Sequence, residues 1–267
     1  MQDVIYLFCI ARSDCLPEMA GSGVDGRSPI FLFNFLDIAA IVSSVPVEEF
    51  IGPAAESNLK DLSWIGPRAC RHEEVIEQIM CHVPVLPIRF GTIFSSLERL
   101  GISLKEHYSA ISRFLDHATE KEEWAVKGLL DRQKAEDIQY NALLASEADN
   151  IAHSPGIRYF REKKIRTGAE TAVRGKVERI LNEIRNDLSR YAADLCERCL
   201  LSREATGSDL DMVINWAFFV PCSVRQNFLE RIDRANKDYS GDGFVLEFTG
   251  PWPPYSFSPS LDTEAGQ

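Results

Sequence analysis

The stretch Thr249-Gly250-Pro251-Trp252-Pro253-Pro254-Tyr255-Ser256-Phe257 constrains the fold more than any other part of this chain. Three prolines in four positions remove three backbone donors, and each holds φ near about −65°. Such a segment cannot continue a helix or run through the middle of a sheet. Chain ends are ordinarily polar and mobile, yet this one carries Trp252, Tyr255 and Phe257 on a stiff backbone. It is built to dock. It directly follows an expected last strand, Gly243 to Phe248, so the first expectation is a clasp on the second domain. A hook for a partner is the second.

A second unusual string is Val85-Leu86-Pro87-Ile88-Arg89-Phe90-Gly91-Thr92-Ile93-Phe94. It reads as a short strand that ends in a turn with positive φ at Gly91. Arg89 has two readings. One is a structural arginine tying the strand end to a nearby carboxylate; the other is a partner contact.

At 267 residues the chain suits one large domain or two medium ones. Its 45% apolar and 26% charged content is that of an ordinary globular protein. A net charge of −11 lacks the basic footprint of nucleic-acid binding. No segment reaches the roughly 18–20 apolar residues that span a bilayer, and the short run Val4–Ala11 follows Asp3 and not a basic region, so it reads as a strand rather than a signal peptide. The expectation is a cytoplasmic protein that partners neither nucleic acid nor membrane. Seven scattered cysteines fit reduced thiols better than a disulfide framework.

Periodicity predicts strands over residues 4–10, 30–35, 38–43 and 85–88, with a helix opened by Pro67 between the last two. That order is a modified βαββαβ, ferredoxin-like unit with its first helix replaced by a loop. Helices follow over 102–118 and 131–148, flanking a strand at 123–130. Val173, Val177, Ile180, Ile184, Leu188, Tyr191, Leu195 and Cys199 recur in steps of four and three. They predict one helix over 170–200, about 46 Å long. A strand at 212–220, a helix at 223–239 and the strand at 243–248 complete a second ferredoxin-like set. The expected fold is therefore α+β with two domains, residues 1–95 and 96–257. The second carries the long helix and the proline-rich tail, and residues 258–267 are expected to be disordered.

Motifs for chemistry are weak. Gly21-Ser22-Gly23-Val24-Asp25-Gly26 matches G-x-G-x-x-G but neither follows a strand directly nor opens a helix. His72-Glu73 starts like H-E-x-x-H, but Ile76 stands where the second histidine belongs. Cys196-Glu197-Arg198-Cys199 has no second pair to complete a zinc site; on the expected helix it reads as core packing. No residue pattern assigns a catalytic, cofactor or metal role. Residues 158–206 hold 12 basic and 8 acidic side chains, against the acidic remainder. That reads as a salt-bridged helix surface, or as a polarised partner surface.

The two strings, taken with others in order, resemble the GvpF/GvpL family of gas-vesicle proteins. The blocks are Asp37–Pro46, Ala69–Glu77 with its His-Glu pair, Pro87–Thr92, Glu123–Lys127, Pro155–Phe160 and Thr249–Phe257. Ala125 stands for a usual glycine, and Arg158 for a usual small residue. The resemblance spans residues 4–257. It implies a minor structural or assembly component of the gas vesicle, the shell that gives microbes buoyancy. Such a protein would support nucleation of the shell by binding the small hydrophobic shell protein GvpA or accessory Gvp proteins and limiting aggregation. It implies no enzyme activity and no cofactor. Its motif residues, and so the possible partner contacts, are Pro87, Arg89, Phe90, Gly91, Trp124, Gly250, Pro251, Trp252, Pro253, Pro254, Tyr255 and Phe257. The alternative is a ligand-binding or enzymatic ferredoxin-like protein that uses the inter-domain cleft.

Overall fold

A computed structural model describes residues 3–14, 16–17, 21–146 and 155–261. The fold is α+β. The chain divides into two compact units, Met1–Glu123 with Pro251–Gln267, and Trp124–Gly250.

The first unit holds β1 (Asp3–Arg12), β2 (Ile30–Phe35) and β3 (Ile38–Pro46), then the short α1 (Val47–Phe50) and α2 (Pro53–Asn58). Helix α3 (Leu62–Met80), β4 (Val85–Pro87), β5 (Ile93–Phe94) and α4 (Leu97–Ala118) follow. The sheet order is β2-β3-β1-β4, with β5 also on β1. All these neighbours are antiparallel.

Strand β1 is the axis of this unit, and its register slips between Leu7 and Cys9. Simple alternation puts every second residue on one face. The extra residue instead lets Phe8 and Cys9 both join the core that contains Val4, Tyr6 and the α3 residues Val75, Ile76 and Ile79. Leu7 and Ile10 lie together with Leu104 and Ile111 of α4. Arg12 at the strand end pairs with Asp37 in the β2–β3 turn and with Asp116 of α4. These contacts hold α4 in the first unit, where the sequence reading opens the second domain with it.

Helix α3 begins at Leu62 and not at Pro67. Asp61 caps it, its carboxylate accepting from Ser63 N–H at 2.9 Å. Pro67 sits inside the helix, at the cost of the one backbone bond its nitrogen cannot donate. The glycine string at 21–26 is a turn closed by Asp25, whose carboxylate accepts from the N–H groups of Arg27 and Ser28, both at 2.9 Å. It leads into β2, not into a helix.

The second unit holds the rest of β6 (Lys121–Leu130), then α5 (Arg132–Ser146), α6 (Pro155–Leu188), β7 (Asp194–Glu197), α7 (Arg203–Thr206), β8 (Asp211–Pro221), α8 (Arg225–Tyr239) and most of β9 (Phe244–Trp252). Its sheet order is β7-β8-β6-β9. Ile180, Ile184 and Leu188 of α6 join Trp124, Ile214, Phe218 and Phe228 in one core.

The long helix is present, with 34 residues, but its end differs from the periodic reading. It stops at Leu188. Tyr191 lies in a single 3-10 turn, and Leu195 lies in β7, paired with Phe218 of β8. The step of four and three continues across this break by coincidence, and the ladder with β8 takes over from the helix. Cys199 is consequently exposed and Cys196 half-buried, so core packing does not account for this pair. Among the described residues no helix is long and apolar enough to cross a membrane.

Candidate functional site

The two unusual strings meet at one buried histidine. His72 lies on the inner face of α3, fully buried, and its ring stacks on Phe8 with centroids 5.6 Å apart. Its Nε2 is 2.9 Å from Ile88 O, and a carbonyl only accepts. The proton therefore sits on Nε2, and Nδ1 accepts from the Tyr6 hydroxyl at 2.9 Å. Tyr6 Oη in turn accepts from Gly91 N–H at 3.1 Å. Gly91 has φ +83°, the turn conformation expected of it.

The proline-rich tail completes this arrangement from the far end of the chain. Tyr255 Oη donates to Glu73 Oε1 at 2.8 Å and lies 3.3 Å from His72 Nε2. Ser256 N–H and Oγ both donate to the buried Glu123 carboxylate, each at 2.9 Å. Ser258 Oγ donates to Pro254 O at 2.8 Å, and residues 262–267 of the expected disordered end lie outside the described residues. The tail that the sequence assigns to the second domain thus makes these contacts in the first unit. The reason is geometric: Gly250, Pro251 and Trp252 prolong β9 beyond the expected Phe248 end.

Burial shifts the ionisation of His72, Tyr6, Tyr255 and Glu73. The His72 imidazole is pushed down to about 4, since desolvation outweighs its bond to Ile88. Burial raises the Tyr6 hydroxyl, helped by the nearby Glu73 charge and opposed by the Gly91 bond. Burial also raises the Tyr255 hydroxyl, with the bonded Glu73 carboxylate adding to it. Glu73 is raised by burial, against the lowering effect of Tyr255. At neutral pH the histidine is uncharged and each of its ring nitrogens is engaged. It acts as a hub, not as a free base.

The motif residues divide between inside and outside. Pro87 is buried at the end of β4, and Pro253 and Pro254 are buried in the tail. Phe90 packs edge-on to His72 at 5.7 Å. Trp124 belongs to the core of the second unit, and Tyr255 and Phe257 are half-buried. Gly250, Pro251 and Trp252 are exposed, Trp252 at 43%. Arg89 is exposed, and its guanidinium meets no carboxylate among the described residues. Sequence reasoning missed Tyr6 and Glu123, because a strand tyrosine and an acid beside a tryptophan carry no sign of partners 85 and 133 residues away. Among the described residues no group of His, Cys, Asp and Glu is arranged to hold a metal.

Glu123→Gln keeps the side-chain shape but turns one acceptor into a donor facing Ser256. The expected outcome is a loss of about 1–2 kcal/mol and faster chymotrypsin cleavage after Tyr255 and Phe257. Wild-type cleavage rates in the variant would contradict the anchoring role.

Known proteins resemble this chain over nearly its whole length. The family model described as "Gas vesicle synthesis protein GvpL/GvpF" matches residues 4–259. Gas vesicle protein L of a Streptomyces species is 25% identical, over 95% of this chain and 92% of that one. Gas vesicle protein F1 of Halobacterium salinarum is 23% identical, over 96% and 93%. The crystal structure of GvpF from an Anabaena species superposes with a TM-score of 0.69 at 17% identity, covering 97% of both chains. GvpF from Microcystis aeruginosa gives a TM-score of 0.67 at 17% identity, over 96% of this chain and 99% of that one. The chain belongs to the GvpL/GvpF family of gas vesicle synthesis proteins.

Proposed function

We propose that this protein is a minor structural or assembly component of the gas vesicle, acting by binding and not by catalysis. It supports nucleation and growth of the shell by holding the small hydrophobic shell protein GvpA, or accessory Gvp proteins, and limits their aggregation. The place of action is the gas vesicle in the cytoplasm. Family membership supports the setting, and one observation carries the binding role. The tail is anchored by Pro253, Pro254 and Tyr255, yet it leaves Trp252 43% exposed on a proline-stiffened backbone. A large aromatic held rigid loses little freedom on docking and makes an efficient anchor.

Each unit is read as a modified ferredoxin-like domain. The matching orders β2-β3-β1-β4 and β7-β8-β6-β9 support this. In the first unit the segment between β1 and β2 takes the place of the first helix of a βαββαβ set. In the second unit α5 and α6 enlarge that helical region.

Trp252→Ala tests the binding role. Stability is expected to fall by about 1–2 kcal/mol, for the part of the indole that the chain covers. Capture of GvpA in a pull-down is expected to fall several-fold, and a strain carrying the variant to form fewer vesicles in electron micrographs. A lowered melting temperature with GvpA capture intact would make Trp252 a purely structural residue.

A further inference from the structure

A cavity of about 290 Å³ lies in the first unit beside the His72 network. Its apolar wall comes from Leu7 and Ile10 of β1 and Leu104 and Ile111 of α4, all buried. Its polar side is Arg89, Thr92, Ser103 and Ser258. Tyr255 and residues 258–261 form another wall, so the tail both seals the hub and shapes the cavity. The size is at the small end of ligand pockets, which run from about 300 to 1,000 Å³.

Charge indicates what enters. The chain carries a net −11, yet among the described residues no carboxylate lines this cavity, and the one charged lining residue among them is Arg89. That guanidinium has no carboxylate partner among the described residues. A planar fork of donors beside hydroxyls suits a carboxylate bound through two oxygens. The leucine and isoleucine wall suits a hydrocarbon tail. We propose that the cavity is a binding site for a small amphipathic carboxylate, a medium-chain fatty acid, with its head on Arg89 and its chain against Leu104 and Ile111. This goes beyond the shell-binding role and does not depend on it.

Isothermal titration calorimetry of the full chain with sodium octanoate and with 1-octanol tests the site. Wild type is expected to bind octanoate saturably at one site. Arg89→Leu, an exposed position, is expected to weaken octanoate about tenfold or more while leaving octanol within about twofold. Arg89→Lys is expected to recover part of the octanoate affinity. Ser103→Trp, which fills the cavity from a half-exposed helix position, is expected to abolish binding of both. No saturable binding by wild type overturns the proposal. So does Arg89→Leu binding octanoate as wild type does, or Ser103→Trp retaining wild-type affinity with native circular dichroism.

Discussion

His72→Ala is expected to lower stability by about 4 kcal/mol, the largest effect of any single change considered. The substitution opens a void between Phe8, Phe90 and α3, and truncating a large buried side chain costs about 3–5 kcal/mol. It also leaves the Tyr6 hydroxyl without its acceptor and Ile88 O without its donor, and each orphaned buried group adds about 1–3 kcal/mol before relaxation. Partial collapse and water entry offset some of that sum. Tyr255→Phe removes only the bond to Glu73 and the 3.3 Å approach to His72. It is expected to cost about 1 kcal/mol. Urea unfolding of the two variants ranks them. Equal midpoints for His72→Ala and wild type would remove the histidine from its place as hub.

Acidification is expected to destabilise the protein between pH 6.5 and about 4. Unfolded, the imidazole takes up its proton near pH 6.5; folded, it resists until about 4. In that window the unfolded chain binds more protons, so stability falls as pH falls and levels off below it. The full effect of this one group is on the order of 3 kcal/mol. Glu73 acts in the opposite sense. Its raised folded value gives stability that is present at low pH and lost as pH rises, which blunts the slope. The depressed carboxylates Asp25, Asp37 and Asp211 lose their stabilisation at lower pH, outside this window. Melting temperatures of wild type and His72→Gln across pH 4–7 separate these contributions. A slope that persists undiminished in His72→Gln would assign the acid sensitivity elsewhere.

The strands at Val4, Ile30, Ile38 and Met212 were legible because β-branched and aromatic runs have few other uses. The inner face of α3 was legible from its spacing, His72 included. What was hidden follows from long-range pairing. Tyr191 and Leu195 keep helical spacing, and only the ladder with Phe218 turns the chain into β7. The slip after Leu7 depends on β3 and cannot be seen in β1 itself. The cavity gathers residues from β1, α4, the turn at Arg89 and the tail, so no single stretch announces it. Arg89 and Trp252 stood out as unusual residues, but their exposure is a property of the folded chain.

The hydrogen-bonded hub joins Tyr6 to Tyr255 through His72, and this imposes an order in time. A ribosome releases the whole second unit before the tail that finishes the first. Until then the first unit lacks its last two anchors, on Glu73 and Glu123, and domains otherwise tend to fold in the order of synthesis. A chain cut just after Trp252 therefore carries every strand of both sheets, yet has an unsealed first unit. The hub is a check on length: it closes only on a chain translated through its signature.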